Sequence, residues 1–203
     1  FGAGKTALLG RPGLAIVGSR AASESATDAA EFAGSACAAS KLVAYSGGAK
    51  GVDGRAMGAA LEAGGSVVGV LSDSLERAVR APANREAITS GRLTLITPYS
   101  PNAPFNVGAA MGRNKLIYTL ADHALVVSSD AQSGGTWAGA IEAMKAKWVP
   151  VFVCEGGDFP PGNSMLIKRG ATPFPVPFPR RTSGLGDWLD ENSQRELVQS
   201  SLF

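Results

Sequence analysis

Short apolar runs recur along the chain, and they lack the polar alternation of a half-exposed strand. A continuous run of this length, bounded by glycine or polar turns, is typical of a strand that is buried on both faces of a parallel sheet. The runs predict six strands, at 14–17, 42–46, 66–71, 93–97, 123–128 and 149–154.

The segments between these runs have helical periodicity. In one of them Val52, Ala56, Ala59 and Ala63 form a single apolar stripe. Helices are predicted at 24–39, 52–64, 75–90, 107–121 and 136–147. Strands that alternate with helices favour right-handed crossovers, so we predict an α/β fold with a doubly wound, mostly parallel sheet of six or more strands and helices on both faces.

The two ends of the chain differ from this central pattern. Because the chain begins at Phe1 without a Met, we expect it to come from a longer protein, with a lead-in from a truncated N-terminal region. The segment 171–179 holds four prolines and is predicted to be an extended connector. After it, a terminal amphipathic helix is predicted through Trp188, Leu189, Leu197 and Val198. The predicted division is a lead-in at 1–13, a core at 14–175, and a connector and tail at 176–203.

Composition and charge exclude only a few classes of function. The chain has 19 basic and 17 acidic residues, a net charge of +2 that neither requires nor excludes a nucleic-acid partner. No apolar run approaches the roughly 20 residues of a membrane span. One histidine and two cysteines cannot form a structural zinc site, so we predict no metal. No GxGxxG motif follows the first predicted strand, so we predict no nicotinamide or other cofactor. Cys37 and Cys154 lie in apolar segments and are expected to be buried thiols in a reducing cytoplasm.

Polar and glycine-rich turns follow three of the predicted strands. In doubly wound sheets, ligands bind beyond the carboxyl ends of the strands. Glycine turns there let backbone N–H groups converge on an anion at a helix N-terminus, and arginine offers a fork of donors suited to phosphate. The turns therefore predict a phosphate-bearing ligand. Their residues are Gly18, Ser19 and Arg20 after the first strand, Ser46, Gly47, Gly48, Ala49, Lys50 and Gly51 after the second, and Ser133, Gly134, Gly135 and Thr136 after the fifth.

Asp53 follows the second turn at the start of a predicted helix. A carboxylate at this position suits the free amides of its own helix's first turn, as an N-cap or an early helical residue. We therefore expect Asp53 to stabilise the start of this helix, and we also include it among the candidate residues of the phosphate site, together with Asn114.

The sequence Arg113-Asn114-Lys115 places cations on the fifth predicted helix. Arg113 precedes Ile117 by four residues and Leu120 by seven, so it lies on the buried face of that helix. An unpaired buried charge costs several kcal/mol, so the guanidinium needs a carboxylate or a phosphate.

Both kinds of partner for Arg113 remain open. A structural salt bridge would go to Asp53 or Asp130. In the alternative, Arg113 binds a phosphate. Lys115 cannot bind that same phosphate, because an ideal helix rotates Lys115 by about 200° from Arg113. The two side chains would then hold successive phosphates.

The motifs together resemble the DNA-processing protein A family (DprA, also called Smf). They agree with it in order and spacing over most of the chain. They are AIVGSR (15–20), YSGGAKGVDGRAMGAAL (45–61), GRNKLIYTLAD (112–122), ALVVSSDAQSGGTWAGAIEA (124–143) and a GN–LI–GA tail (162–171).

The resemblance implies an extended Rossmann-like core that binds single-stranded DNA, forms a dimer and acts in the cytoplasm. Bacterial members of the family hand incoming strands to the recombinase RecA during natural transformation. By the same resemblance, Arg20, the glycine turn at 47–51, and Arg113 with Lys115 correspond to the pocket for DNA phosphates.

The chain departs from the family pattern at one point. Members usually carry Phe-Pro shortly before the Arg-Asn motif, where the aromatic ring meets a base. The segment 110–112 here reads Ala-Met-Gly. The aromatic residues that could take over this contact are Phe105 and Tyr118.

Two further functions stay open beside single-stranded DNA binding. Phosphoribohydrolases of the same superfamily carry PGGxGTxxE, and SGGTWAGAIE here keeps two glycines, a Thr and a Glu. However, Glu142 lies six residues after Thr136 instead of three, which turns it about 300° further round the helix. The other alternative is a sensor of a nucleotide-derived signal. We predict a non-catalytic DNA-binding protein without a membrane segment.

Overall fold

Eight strands form a single sheet in the computed structural model, which describes residues 1–179 and 184–200. They are β1 (Gly2–Ala3), β2 (Gly13–Gly18), β3 (Val43–Ser46), β4 (Ser66–Val70), β5 (Leu93–Ile96), β6 (His123–Ser128), β7 (Val151–Glu155) and β8 (Thr172–Pro175). Their order across the sheet is β1-β5-β4-β3-β2-β6-β7-β8. All neighbours are parallel except β1, which is antiparallel to β5.

Helices cover both faces of this sheet. They are α1 (Glu24–Ala39), α2 (Val52–Glu62), α3 (Leu75–Arg80), α4 (Pro82–Thr89), α5 (Val107–Thr119), α6 (Gly134–Ala146), α7 (Pro161–Lys168) and α8 (Leu185–Ser200), with a short 3-10 helix at Thr6–Gly10. Leu14 and Ile16 of β2 pack with α1 to α4 and α8, while Ala15 and Val17 pack with α5 to α7. The predicted α/β, doubly wound architecture is confirmed, and all six predicted strands are present.

Three elements differ from the prediction. The single helix expected at 75–90 is two helices, because Ala81 is extended before Pro82, which begins α4. Helix α7 was not predicted. The proline-rich connector contains β8, which pairs with β7 at the edge of the sheet, where proline is tolerated.

The two ends of the chain both join the core. The predicted lead-in contributes β1 and the 3-10 helix. The predicted terminal helix is α8, where Trp188 packs 5.5 Å from the Phe152 ring and Leu189 is fully buried. Leu197 and Val198 lie among side chains outside the described part of the structure.

Cys37 and Cys154 are buried and unpaired, as expected, and burial raises the pKa of Cys37 to about 12. His123 begins β6, and its Nε2 atom lies 3.3 Å from Oδ1 of Asp190 in α8. Burial lowers the pKa of His123. Among the helices that the structure describes, none has the length and apolar character needed to cross a membrane.

The chain changes direction across the sheet at β2 and β6. From β2 it passes through α1 to β3 on one side, whereas from β6 it passes through α6 to β7 on the other. The loops after these two adjacent strands diverge and leave a crevice at their carboxyl ends, where sheets of this type bind ligands.

Candidate functional site

A cavity of about 710 Å³ occupies this crevice, between the turns after β2 and β6 and the helix α5. Most of the residues predicted from the three turns and the Arg-Asn motif line it. They are Gly18, Ser19, Arg20, Ala49, Asp53, Arg113, Asn114, Ser133, Gly134, Gly135 and Thr136. The structure places the remaining predicted residues outside the lining: Ser46, Gly47, Gly48, Lys50, Gly51 and Lys115.

Arg113 lies at the base of the cavity. It is only 3% exposed, which confirms that it faces inward on α5. Its guanidinium rests directly on Gly47, where an added Cβ would lie 1.7 Å from Arg113 Nη1. Gly47 therefore makes room for Arg113 and does not itself line the cavity.

The Arg113 guanidinium is not neutralised by a direct partner. Its Nε and Nη1 atoms are buried without a hydrogen bond, and no ion pair between described residues includes Arg113. The salt bridge to Asp53 or Asp130 that the sequence left open is therefore not formed. Burial lowers the pKa of Arg113, and the nearby charge of Asp53 opposes that shift. Buried donors of this kind need an acceptor, and an anion in the cavity would balance the charge.

Asp53 is the second residue of α2 and is buried beside Arg113. Its Oδ2 accepts a hydrogen bond from the Gly47 N–H at 3.1 Å, and the side chain does not cap α2. The predicted early position of Asp53 in α2 is confirmed. The predicted partner is wrong, because the carboxylate accepts from an amide of the preceding turn instead of an amide of its own helix. Burial raises the pKa of Asp53 to about 6, although Arg113 and the backbone amides lower it.

The glycine turn after β3 packs against the turn after β2. Gly51 has φ +82°, and a Cβ there would lie 2.4 Å from the Ser19 carbonyl oxygen. Ser46 is buried, and its hydroxyl donates to the Ile16 carbonyl at 2.6 Å. This turn therefore holds the site together, while Lys50 is exposed beside it.

The two aromatic residues proposed for base contact differ in their exposure to solvent. Tyr118 is 1% exposed, its hydroxyl has no partner, and burial raises its pKa. It lies too deep to stack on a base, so that alternative is wrong. Phe105 is exposed at the mouth of the cavity, and the Arg20 guanidinium carbon lies 4.7 Å from the centroid of its ring.

The turn after β6 is held from two sides. Ser133 precedes the first helical residue of α6, and the Asn114 side chain donates to the Gly135 carbonyl at 3.1 Å. On the other side, the buried Asn163 accepts from the Ser129 N–H and donates to the carbonyls of Val127 and Cys154, all at 2.9 Å.

No role was predicted for Asn163, which belongs to the Gly-Asn pair of the tail motif. Gly162, next to it, leaves no room for a side chain, since a Cβ would lie 2.1 Å from the Ser129 carbonyl oxygen. Together the pair fixes the end of β6 at the rim of the cavity. The sequence signal for this role was the Gly-Asn pair itself, and the pair contains no charged group that would point to a functional site.

Among the described residues, no group of three or more His, Cys, Asp or Glu could hold a metal ion. The fold and the cavity define a Rossmann-like α/β protein with its site where that class binds ligands. The chain belongs to the DNA recombination-mediator protein A family, whose model matches residues 1–177. The family membership that the sequence motifs predicted is thus confirmed.

Two similar proteins illustrate this membership. A putative DNA processing protein DprA of Mycobacterium tuberculosis is 31% identical over 164 residues, which are 77% of this chain and 41% of that protein. DNA processing protein A from Streptococcus pneumoniae has a similar structure, with a TM-score of 0.73 and 28% identity over 85% of this chain and 62% of that one. The chain thus spans less than half of the mycobacterial relative.

DNA processing protein A from Helicobacter pylori shares the fold, with a TM-score of 0.70 and 24% identity over 85% of this chain and 80% of that one. That structure gives insight into the unique single-stranded DNA binding mode of the H. pylori protein.

Proposed function

We propose that this chain is a non-catalytic, single-stranded DNA-binding protein that takes DNA phosphates into the cavity at the ends of β2 and β6. The observation that carries the proposal is Arg113, a buried guanidinium at the cavity floor whose Nε and Nη1 have no partner. A phosphate is the anion that a guanidinium fork fits best in a nucleic-acid ligand.

The charge of the site supports an anionic ligand. The carboxylate of Asp53 is engaged by the Gly47 N–H, and Arg113 has no direct ion pair with any residue of the described part of the chain. Arg20 is exposed at the rim and adds a second cation. Binding of this kind depends on the backbone, so we expect little sequence preference.

The flanking cations extend this surface beyond the cavity. Lys50 and Lys115 are both exposed, and each follows a residue of the cavity lining in the sequence, Ala49 and Asn114. We infer that they contact neighbouring phosphates of a strand, which a mononucleotide would not reach. The single-stranded DNA binding of the H. pylori relative is consistent with this arrangement.

A competition titration tests the proposal against the nucleotide-sensor alternative. A labelled oligothymidine is bound to the protein and challenged with unlabelled single strand, duplex of the same length, or AMP. We expect the single strand to compete at the lowest concentration. If AMP displaces the labelled strand at the same total nucleotide concentration as the unlabelled single strand does, the result favours a mononucleotide sensor and contradicts the proposal.

Family membership supports two further parts of the proposal. We infer that the whole protein delivers single-stranded DNA to RecA in recombination and natural transformation, and that it does so as a homodimer. Sedimentation of the chain with and without oligonucleotide tests the dimer. RecA filament assembly on strands precoated with the protein tests the delivery, which should be faster than on strands coated with an unrelated single-strand binder.

We expect no release of base from AMP or other nucleoside monophosphates. The acid required for phosphoribohydrolase chemistry must lie within hydrogen-bond reach of the ribose. Glu142 is exposed on α6 and does not line the cavity. Incubation with each monophosphate followed by chromatography of free base checks this expectation. Base release that disappears in Glu142→Gln would establish an enzyme instead.

Strand affinity should increase as the pH falls from about 7 to 5. The pKa of Asp53 is raised to about 6, so protonation in this range removes a negative charge beside Arg113. Phosphodiesters stay ionised throughout, and the single histidine, His123, lies at the opposite end of β6. Asp53→Asn should remove most of this pH dependence and bind at pH 7 as the parent does at pH 5. An equal pH dependence in both proteins would assign it to another group.

A further inference from the structure

We propose that the edge of the sheet at the amino ends of its parallel strands is a second binding surface, which holds the phosphate backbone of a nucleic acid independently of the cavity. Four cations form this surface, which we call the basic row: Lys5, Arg11, Lys41 and Arg92. The inference goes beyond the proposed function, because it places nucleic acid on a part of the molecule that the cavity does not include.

The basic row lies at the edge of the sheet opposite the cavity. Arg11, Lys41 and Arg92 come one or two residues before β2, β3 and β5, whereas the cavity lies beyond the carboxyl ends of β2 and β6. Because β2 is six residues long, roughly 17–20 Å of sheet separate the two surfaces. A phosphate that is bound in the cavity therefore cannot also contact the row.

Contacts between neighbouring segments join the four cations into one surface. The Arg11 guanidinium donates to the Lys41 carbonyl and to the Ser66 hydroxyl, both at 3.3 Å. Ser66 begins β4, and the next residue of that strand donates its N–H to the Arg92 carbonyl at 2.8 Å. Lys5 lies against the glycine before Arg92, since a Cβ on that glycine would be 2.4 Å from Lys5 Nζ.

The charges of the row are not neutralised within the described part of the chain, where no ion pair includes any of the four cations. Neutral oxygens hold the guanidiniums instead, and Arg92 Nη1 donates to the Leu61 carbonyl at 2.6 Å. By contrast, Arg55, Arg77 and Arg80 each pair with a carboxylate. The row therefore presents positioned cations whose charge is available to an external anion.

Acidic side chains border the row without pairing with it. Asp122 Oδ2 accepts from the Gly13 N–H at 2.7 Å, at the start of β2, and Asp190 of α8 contacts His123 at the start of β6. Glu62 is exposed at the end of α2 and forms no ion pair with a described residue. The positive surface consequently extends from β2 toward β5 and β1, away from β6 and α8.

The length and chemistry of the row fit a phosphate backbone. Neighbouring strands lie about 4.8 Å apart, and β3 and β4 separate β2 from β5, so the row crosses about 14 Å. A stacked strand advances by about 3.4 Å for each phosphate, so the row can contact up to about four phosphates. Arginine and lysine are common donors to phosphate oxygens, and such contacts carry no sequence information.

The large exposed apolar side chains of the described residues lie away from the basic row. Three of the five line the cavity, Phe1 donates to the Thr97 carbonyl beyond the carboxyl end of β5, and Phe32 is in the middle of α1. The centre of a protein interface is apolar and aromatic, whereas nucleic-acid surfaces are polar and positive. The row therefore fits a nucleic acid better than a protein.

A double variant, Lys5→Ala with Lys41→Gly, removes two charges of the row. Glycine suits position 41, because its backbone has φ +58°. The matched control is Lys147→Gly with Lys168→Ala, which also removes two exposed lysines. Lys147 has φ +51° and precedes β7, on the other side of β6 from the row. Thermal melts of both double variants show whether the fold is retained.

The salt dependence of binding to a long oligothymidine and to a duplex tests the row. In the row variant, the slope of log affinity against log salt should decrease by about 1.4 for the single strand or about 1.8 for the duplex, which is 0.7 or 0.9 for each lost contact. The control should keep the slope of the parent. The same decrease is expected in an Arg113→Ala background, because distant sites act additively.

A decrease with either nucleic acid supports the basic row and shows which form it binds. Parent-like slopes of the folded row variant with both nucleic acids would overturn the row and leave the proposed function of the cavity standing. An equal decrease in the control would also overturn it, because binding would then follow total charge. Weaker binding of polyglutamate alone by the row variant would assign the row to an acidic protein segment and contradict the proposal.

Discussion

Replacing Arg113 with alanine is expected to weaken single-stranded DNA binding by about 10- to 150-fold, since a hydrogen bond to a charged group contributes roughly 1.5–3 kcal/mol. Arg113 is buried at the cavity floor with unpartnered donors, so its loss removes the deepest positive charge. Fluorescence anisotropy of a labelled oligonucleotide measures the change. Arg113→Lys keeps the charge but not the fork of donors and should have an intermediate affinity.

The control for this variant is Arg55→Ala. Arg55 is an exposed cation of α2 that pairs with Glu31 and lies outside the cavity lining. It has the same formal charge change and should bind close to the parent level. Thermal melts of each variant show whether the fold is retained. Parent-like binding by a folded Arg113→Ala would contradict the assignment of the cavity floor.

Gly47→Ala is expected to produce nearly the same loss of binding without removing any charge. The added Cβ would lie 1.7 Å from Arg113 Nη1 and 2.4 Å from its Cζ, so the guanidinium must move. The backbone of Gly47 does not have a positive φ, so alanine introduces no backbone strain of its own. The variant therefore tests the position of Arg113 separately from its charge.

Gly58→Ala serves as the control for this substitution. Gly58 lies within α2 with no atom near its missing Cβ, so alanine fits and favours the helix. It should bind DNA like the parent and melt at the same or a higher temperature. Equal affinities for Gly47→Ala and Gly58→Ala would mean that the placement of Arg113 does not matter for binding.

The strands could be predicted because each is buried on both faces and so forms an uninterrupted apolar run. The edge strand β8 could not, since Pro173 and Pro175 carry no such signal and its pairing depends on β7. The division between α3 and α4 was visible in Pro82, whose effect on Ala81 outweighs the helical periodicity around it.

The site was predictable where it depends on local spacing. Arg113 faces inward because it shares a helical face with Ile117, as the sequence indicated. The partner of Asp53 and the packing of Gly47 against Arg113 depend on contacts between segments far apart in the chain. Periodicity carries no information on such contacts.

The difference between Phe105 and Tyr118 has the same origin. Both are aromatic residues near the Arg-Asn motif, and the sequence offered either for base contact. Tyr118 is on the helix face that packs toward the sheet, whereas Phe105 precedes α5 in a loop. Only the folded arrangement separates the buried ring from the accessible one.

The salt dependence of strand binding tests the central claim most directly. The dissociation constant of a labelled oligothymidine is measured over a series of NaCl concentrations for the parent and for Arg20→Ala. Phosphate contacts predict a linear decrease of log affinity with log salt, with a slope of about 0.7 for each phosphate contacted, and a smaller slope for Arg20→Ala. An affinity that does not change with salt would contradict the account.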